Sequence, residues 1–225
     1  MRRIIRIFYS HCHGPMTDHQ NPKISSRKQP KQARSTRLVE DVLQAAIQVL
    51  AKEGAQRFTM ARVAEKAGVS VGSLYQYFPN KAAILFRLQS DEWRQTTDLL
   101  RDILEDVERP PLDRLRSLAH AFIRSECDEA EMRVALDDAA PLYRDAPEAQ
   151  EARASGYRTV QVFMQEVLPK ASEVTRALAS DLITTTLSAV GKQFSESPRT
   201  AAEIEAYAEA MADMFCAYLE DLKHV

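Results

Sequence analysis

The chain's 225 residues, 45% hydrophobic and 28% charged, suit a folded globular protein with room for a small head fused to a larger body. No apolar run approaches the roughly 18–20 residues of a membrane span, which excludes a helical membrane protein. The formal net charge of −2 hides an asymmetry: residues 1–94 hold 16 Lys+Arg against 7 Asp+Glu, and residues 95–225 hold 14 against 25. A basic front and an acidic rear point to two tasks in one chain, with the front meeting a polyanion.

The first 34 residues read as a disordered basic arm. Arg6 interrupts the only apolar patch, and His11, Cys12 and His13 follow it, so no secretory signal is formed. Metal binding by His11-Cys12-His13 needs further spaced ligands, and only His19 is near. Met16 is an alternative start. Lys23 to Arg37 is basic, polar and Pro-containing, too poor in apolar residues to build a core. Such an arm lies along phosphates or in a minor groove, or is simply solvated. The three cysteines, Cys12, Cys127 and Cys216, are too scattered for a disulfide framework, so a reducing cytoplasm is expected.

Periodicity begins after Ser35. Leu38, Val39, Val42, Leu43, Ala46, Ile47 and Leu50 recur at three- and four-residue steps, which predicts an amphipathic helix capped by Ser35 and stopped by Gly54. Thr59 is placed to cap a short helix, MARVAEKA. Gly68-Val69 makes a turn, and Ser70 caps a third helix, VGSLYQYF. Two short helices joined by a Gly-containing turn behind a longer one make a helix-turn-helix. Leu74 and Phe78 anchor the third helix inward, leaving Val71, Ser73, Tyr75 and Tyr77 for solvent or a partner. Tyrosine hydroxyls donate well to phosphate oxygens. Pro79-Asn80-Lys81 then starts a fourth helix with Lys81 at its positive end, a good phosphate seat.

The rest reads as helices over about 81–108, 112–127, 130–140, 147–169, 172–194 and 200–222. They are separated by prolines and short turns, and a Thr200-x-x-Glu203 capping box opens the last. Strand-like alternation is missing, so the expected fold is all-α with about nine helices: a head over 35–82 and a helical body over 83–225. The last helix carries Tyr207, Met211, Met214, Phe215, Tyr218 and Leu222, a face that needs either its own core or a second subunit.

The run FTMARVAEKAGVSVGSLYQYFPNKAAIL resembles the signature of the tetracycline-repressor (TetR) family. The resemblance rests on the T-x-x-x-[IV]-A-x-x-A-G-V-S core, the L-Y-x-[YH]-F motif and the N-K-x-x-L start of the fourth helix. It covers residues 35 to about 88; beyond 95 only length and helical character agree. It implies a dimeric, ligand-responsive DNA-binding regulator, most often a repressor, that binds a near-palindromic duplex operator and is released by an unknown small molecule. It also implies backbone contacts from Thr59 and Arg62 and base reading at Val71, Gly72 and Ser73, beside the cap residue Ser70. Tyr75, Tyr77 and Lys81 match phosphate-gripping positions. Val71 and Gly72 have no hydrogen-bonding side chains, so readout falls on Ser73, on a thymine methyl at Val71, on Arg34 and Arg37 of the arm, and on DNA shape.

The resemblance further implies a dimer interface formed by the last two helices, through Val174, Leu178, Leu182, Tyr207, Met211, Met214, Phe215, Tyr218 and Leu222. A ligand pocket is expected among Trp93, Phe122, Met132, Leu136, Tyr143, Tyr157, Phe163 and Met164, although the same residues suit an ordinary core. Acidic residues from Glu126 to Asp138 suit a solvated face, or a cationic ligand if they turn inward.

Enzymatic function has no support from motif: the chain offers no Gly-rich phosphate loop and no recognisable nucleophile, and no cofactor or metal is expected. Two alternatives in kind are a helical protein-interaction module and a ligand-insensitive DNA-binding protein without sequence-specific repression.

Overall fold

The computed structural model describes residues 33–130, 132, 134, 136 and 147–223. These form α1 (Ala33–Arg57), α2 (Met60–Ala67), α3 (Val71–Tyr77), α4 (Lys81–Leu104), α5 (Pro111–Asp128), α6 (Pro147–Val167), α7 (Glu173–Phe194) and α8 (Ala201–Leu222), and among the described residues there is no strand. Of the helix expected over 130–140, Ala130, Met132, Val134 and Leu136 are helical and the remainder lies outside the described residues. So do Tyr143, Met16, the His11-Cys12-His13 cluster and the arm up to residue 32. Among the described residues, no helix is long and apolar enough to cross a membrane.

The described residues divide into two compact units. One holds the residues up to Asp91 with those of 131–149; the other holds Glu92–Ala130 and the chain from Gln150 on, so α4 contributes to both.

In the first unit α1 begins at Ala33, so Ser35 lies within its first turn and does not cap it. Ala33 and Arg34 are good helix formers and extend the helix backwards. The helix breaks where expected, at Gly54, whose φ of 72° and ψ of 170° are non-helical, and a last turn runs on to Arg57. Val42, Ala46, Leu50, Phe58, Val63, Leu74 and Phe78 are buried and make the head's core.

In the second unit α5 packs along α8 and against α7, around Leu115, Leu118, Phe122, Ile123, Leu187, Met211, Phe215 and Leu219. Close approach of α5 and α7 depends on Gly191, where a Cβ would come within 3.1 Å of a Phe122 ring carbon and 3.3 Å of Glu126 Cγ. Along the α5–α8 seam runs an ionic ladder. Arg116 pairs with Glu209 and, at 2.7 Å, with Asp213. His120 meets Glu209 at 2.7 Å and Glu205 at 3.2 Å. Arg124 meets Glu205 at 2.9 Å. Arg116 is thereby held more firmly protonated than an isolated guanidinium, chiefly by its hydrogen bond to Asp213.

Helix α4 ends at Leu104, short of the expected Glu108. The buried Arg114 guanidinium donates to the Leu104 carbonyl and to Glu166 and lies over the Phe163 ring, so the end of α4 is capped by a side chain from α5. Turns then carry the chain to Pro110-Pro111. At the other connection, Arg199, Phe194 and Tyr207 form a three-layer stack: the two rings lie 3.9 Å apart and the guanidinium sits 4.5 Å from the Phe194 centroid. Thr200 and Glu203 complete the capping box of α8, with the Thr200 N–H donating to Glu203 Oε2 at 2.7 Å and the Glu203 N–H donating to Thr200 Oγ1 at 3.3 Å. Cys216 donates weakly to the Leu112 carbonyl at 3.6 Å, and burial pushes its thiol pKa up.

Candidate nucleic-acid interface

The turn between α2 and α3 is built by local chemistry. Thr59 Oγ1 accepts from the Arg62 N–H at 3.3 Å and starts α2. Gly68 ends it with φ 67° and ψ 27°, left-handed values that cost other residues about 1–2 kcal/mol. The Val69 N–H closes onto the Ala64 carbonyl at 3.0 Å. Ser70 follows, and its Oγ accepts from the Ser73 N–H at 3.0 Å and starts α3, while the two hydroxyls lie 2.8 Å apart. Asn80 Oδ1 accepts from the Ala83 N–H at 2.9 Å, which caps α4 and sets Lys81 at its first position.

A seven-residue helix is too short to persist alone. Leu74 and the following Phe78 are buried and hold α3, as expected. Val71 and Tyr75, one turn apart, share its exposed face, with Tyr75 41% exposed. Gly72 and Lys81 are also exposed, Ser70 lies on the surface and Ser73 is half-buried. Tyr77 is a correction: it is only 9% exposed and belongs to the head's core. It follows Leu74 by three residues and so falls on the same helix face, which tyrosine's apolar ring suits.

Arg37 and Thr59 are exposed, and Arg34 lies in the first turn of α1. Arg62 is partly exposed and forms an ion pair with Glu53, the residue just before the Gly54 break. Sequence reasoning missed Glu53, because nothing in its local spacing marks it as the neighbour of a residue on the next helix.

The residues expected to line a pocket are placed differently from one another. Trp93, Phe122, Leu136, Phe163 and Met164 are buried, Met132 is half-buried and Tyr157 is exposed on α6. Phe122, Phe163 and Met164 are members of the body's core. Of the residues expected at a dimer interface, Val174, Leu178, Leu182 and Met214 are exposed. Met211 and Phe215 are instead buried in the chain's own core, while Tyr207, Tyr218 and Leu222 pack against it. The apolar face of α8 is thus largely consumed within the chain, and of these two helices α7 keeps more apolar side chains exposed, Val174, Leu178 and Leu182.

The family model for bacterial regulatory proteins of the tetR family matches residues 42–88, and that for the tetracyclin repressor-like C-terminal domain matches residues 110–222. The chain belongs to the TetR family. Among known relatives, it is 35% identical over 92 residues to the nucleoid occlusion factor SlmA of Vibrio campbellii, a match covering 40% of this chain and 46% of that one. It is 29% identical over 65 residues to the fatty acid metabolism regulator protein of Bacillus subtilis, covering 29% of this chain and 34% of the relative. The matched stretches therefore span less than half the length of these relatives. Two solved structures share the fold. The fatty acid degradation regulator FadR of Bacillus halodurans superposes with a TM-score of 0.63 at 18% identity, covering 84% of this chain and 97% of that one. FadR of Bacillus subtilis, in complex with stearoyl-CoA, gives 0.64 at 15% identity, covering 79% and 97%.

Proposed function

We propose that this TetR-family chain is a dimeric, ligand-responsive regulator of transcription, most simply a repressor, that grips a near-palindromic operator and lets go when a small molecule binds its body. The observation that carries the reading is the exposed α3 face. Val71 and Tyr75 point away from a core that Leu74, Tyr77 and Phe78 fill, next to a lysine at a helix N-terminus. In such an arrangement the tyrosine hydroxyl and Lys81 serve phosphates, and Ser73 and the Val71 methyls serve base edges.

Dimerisation is supported by Val174, Leu178 and Leu182, which repeat every turn along α7 as exposed apolar residues, with Met214 exposed on α8. A two-fold dimer sets two recognition helices about one DNA turn apart, so the operator mirrors that symmetry. A ligand acts on DNA affinity only through its own difference in affinity for the two conformations, and α4, whose residues enter both units, is the natural lever.

Selection of random duplex DNA on the full-length protein tests this reading. Enrichment of a near-palindrome with half-sites about one turn apart is the expected result. Against the selected duplex, Lys81→Ala weakens every sequence alike, whereas Ser73→Ala changes the preference among sequences. A second reading, sequence-blind DNA binding, is favoured by the absence of hydrogen-bonding side chains at Val71 and Gly72; salt-sensitive binding without enrichment selects it.

A further inference from the structure

We propose that Glu53 is a built-in competitor for the phosphate that Arg62 takes on DNA, so that its ion pair with Arg62 holds down the head's affinity. The proposal rests on the reading of the head as a DNA grip and adds to it a residue that damps the grip.

Three local features bring the pair together. Gly54 turns the backbone out of the helix at φ 72°, which leaves Glu53 at the end of the long run of α1. Phe58, wholly buried, then fixes where the chain re-enters, and Thr59 starts α2 by holding the Arg62 N–H. Arg62 is thereby set in the first turn of α2 with its guanidinium beside the Glu53 carboxylate. The Arg62 side chain keeps 46% of its surface open against 25% for Glu53, so the cation is the more accessible partner.

A guanidinium presents five donors in a planar fork and serves a phosphate as readily as a carboxylate. Both anions are acceptors only, and an arginine that turns to DNA gives up contact with Glu53. The ion pair given up on binding subtracts from what the phosphate contact gains. An exposed pair of this kind is weak, so the competition is a modest brake and not a lock.

The experiment is a double-mutant cycle on the full-length protein, Glu53→Gln and Arg62→Gln singly and together. Binding is followed by fluorescence anisotropy on a mixed-sequence duplex of about three helical turns at low salt. Such a duplex suffices because a phosphate contact is blind to sequence. Glu53→Gln is expected to tighten binding about two- to fivefold per half-site, with the advantage shrinking as salt is raised. In the Arg62→Gln background the same change should have little effect, which separates competition for Arg62 from simple repulsion between Glu53 and DNA.

If Glu53→Gln tightens binding equally in both backgrounds, repulsion alone accounts for it and the competitor is disproved. If Glu53→Gln weakens binding while Arg62→Gln also weakens it, Glu53 positions Arg62, and the proposal is again overturned. Should Arg62→Gln bind like the unaltered chain, Arg62 holds no phosphate and the proposal falls, while the DNA-grip reading survives if Lys81→Ala still weakens binding. If the unaltered chain binds no duplex at all, both fall together. Thermal unfolding of each variant checks that the head remains folded.

Discussion

Replacing Leu178 by Glu places a charge in the middle of the exposed row on α7 and tests whether that row is a dimer seam. Leu178 is 61% exposed and Leu182 48% exposed in the single chain. Complete burial of a leucine side chain contributes about 2 kcal/mol, so covering the open part of Leu178 contributes about 1 kcal/mol per subunit. In a two-fold interface each residue occurs twice, which makes about 2 kcal/mol for this position. Two carboxylates brought into the same seam without partners cost at least about 1 kcal/mol each. The sum is about 4 kcal/mol, which raises the dimer dissociation constant by roughly a thousandfold. Sedimentation velocity over a concentration series reads that constant, and far-UV circular dichroism should be unchanged because Leu178 takes no part in the chain's core. A Leu178→Glu chain that dimerises as tightly as its parent refutes the placement of the seam on α7. A monomer retaining full affinity for a two-half-site duplex refutes the link between dimerisation and DNA binding.

Phe122 is buried at the meeting of α5 and α7, so Phe122→Ala should destabilise the body by about 3–5 kcal/mol, seen as a lower urea midpoint. Cys216 is buried and its thiol pKa is raised chiefly by that burial, so at about pH 8 it should resist iodoacetamide in the folded chain and react once unfolded, as peptide mass mapping would show. Rapid labelling of the folded chain would mean that the α5–α8 seam opens readily. The backbone and hydroxyl of Thr200 hold the Glu203 carboxyl below its ordinary pKa, so this cap supports α8 above the ordinary carboxylate range and loses its contribution as pH falls through the depressed value. Amide exchange at the start of α8 should therefore quicken in acid, and Glu203→Gln should remove the part of that dependence due to this group.

Much of the head was legible because its determinants lie within four residues of one another. Thr59 and Ser70 each reach a backbone N–H three residues on, Gly68 takes a left-handed turn, and Leu74 with Phe78 face inward. The capping box at Thr200 was readable for the same reason. Tyr77 falls inside because it follows Leu74 by three residues, which an inward pair of Leu74 and Phe78 alone does not reveal. The stripe on α8 was correctly seen as apolar, but a stripe does not say whether its own chain or a second copy covers it. Met211 and Phe215 are in fact covered by α5 and its neighbours. The ionic ladder was beyond reach, since it joins residues 116–124 to residues 205–213 and depends on how two helices face each other.

That ladder also has a mechanical consequence. Its basic residues at 116, 120 and 124 and its acids at 205, 209 and 213 repeat every four residues, slightly more than one turn of about 5.4 Å. A slide of α8 along α5 by half a turn takes Arg116 and His120 from between two acids to beside one, so each gives up a contact. A slide by a whole turn brings at least two of the three basic residues beside acids again. Travel along this seam is notched, with resting positions a turn apart and a barrier between them. A force applied along α8 is therefore answered in steps, as a ratchet answers, and not in proportion.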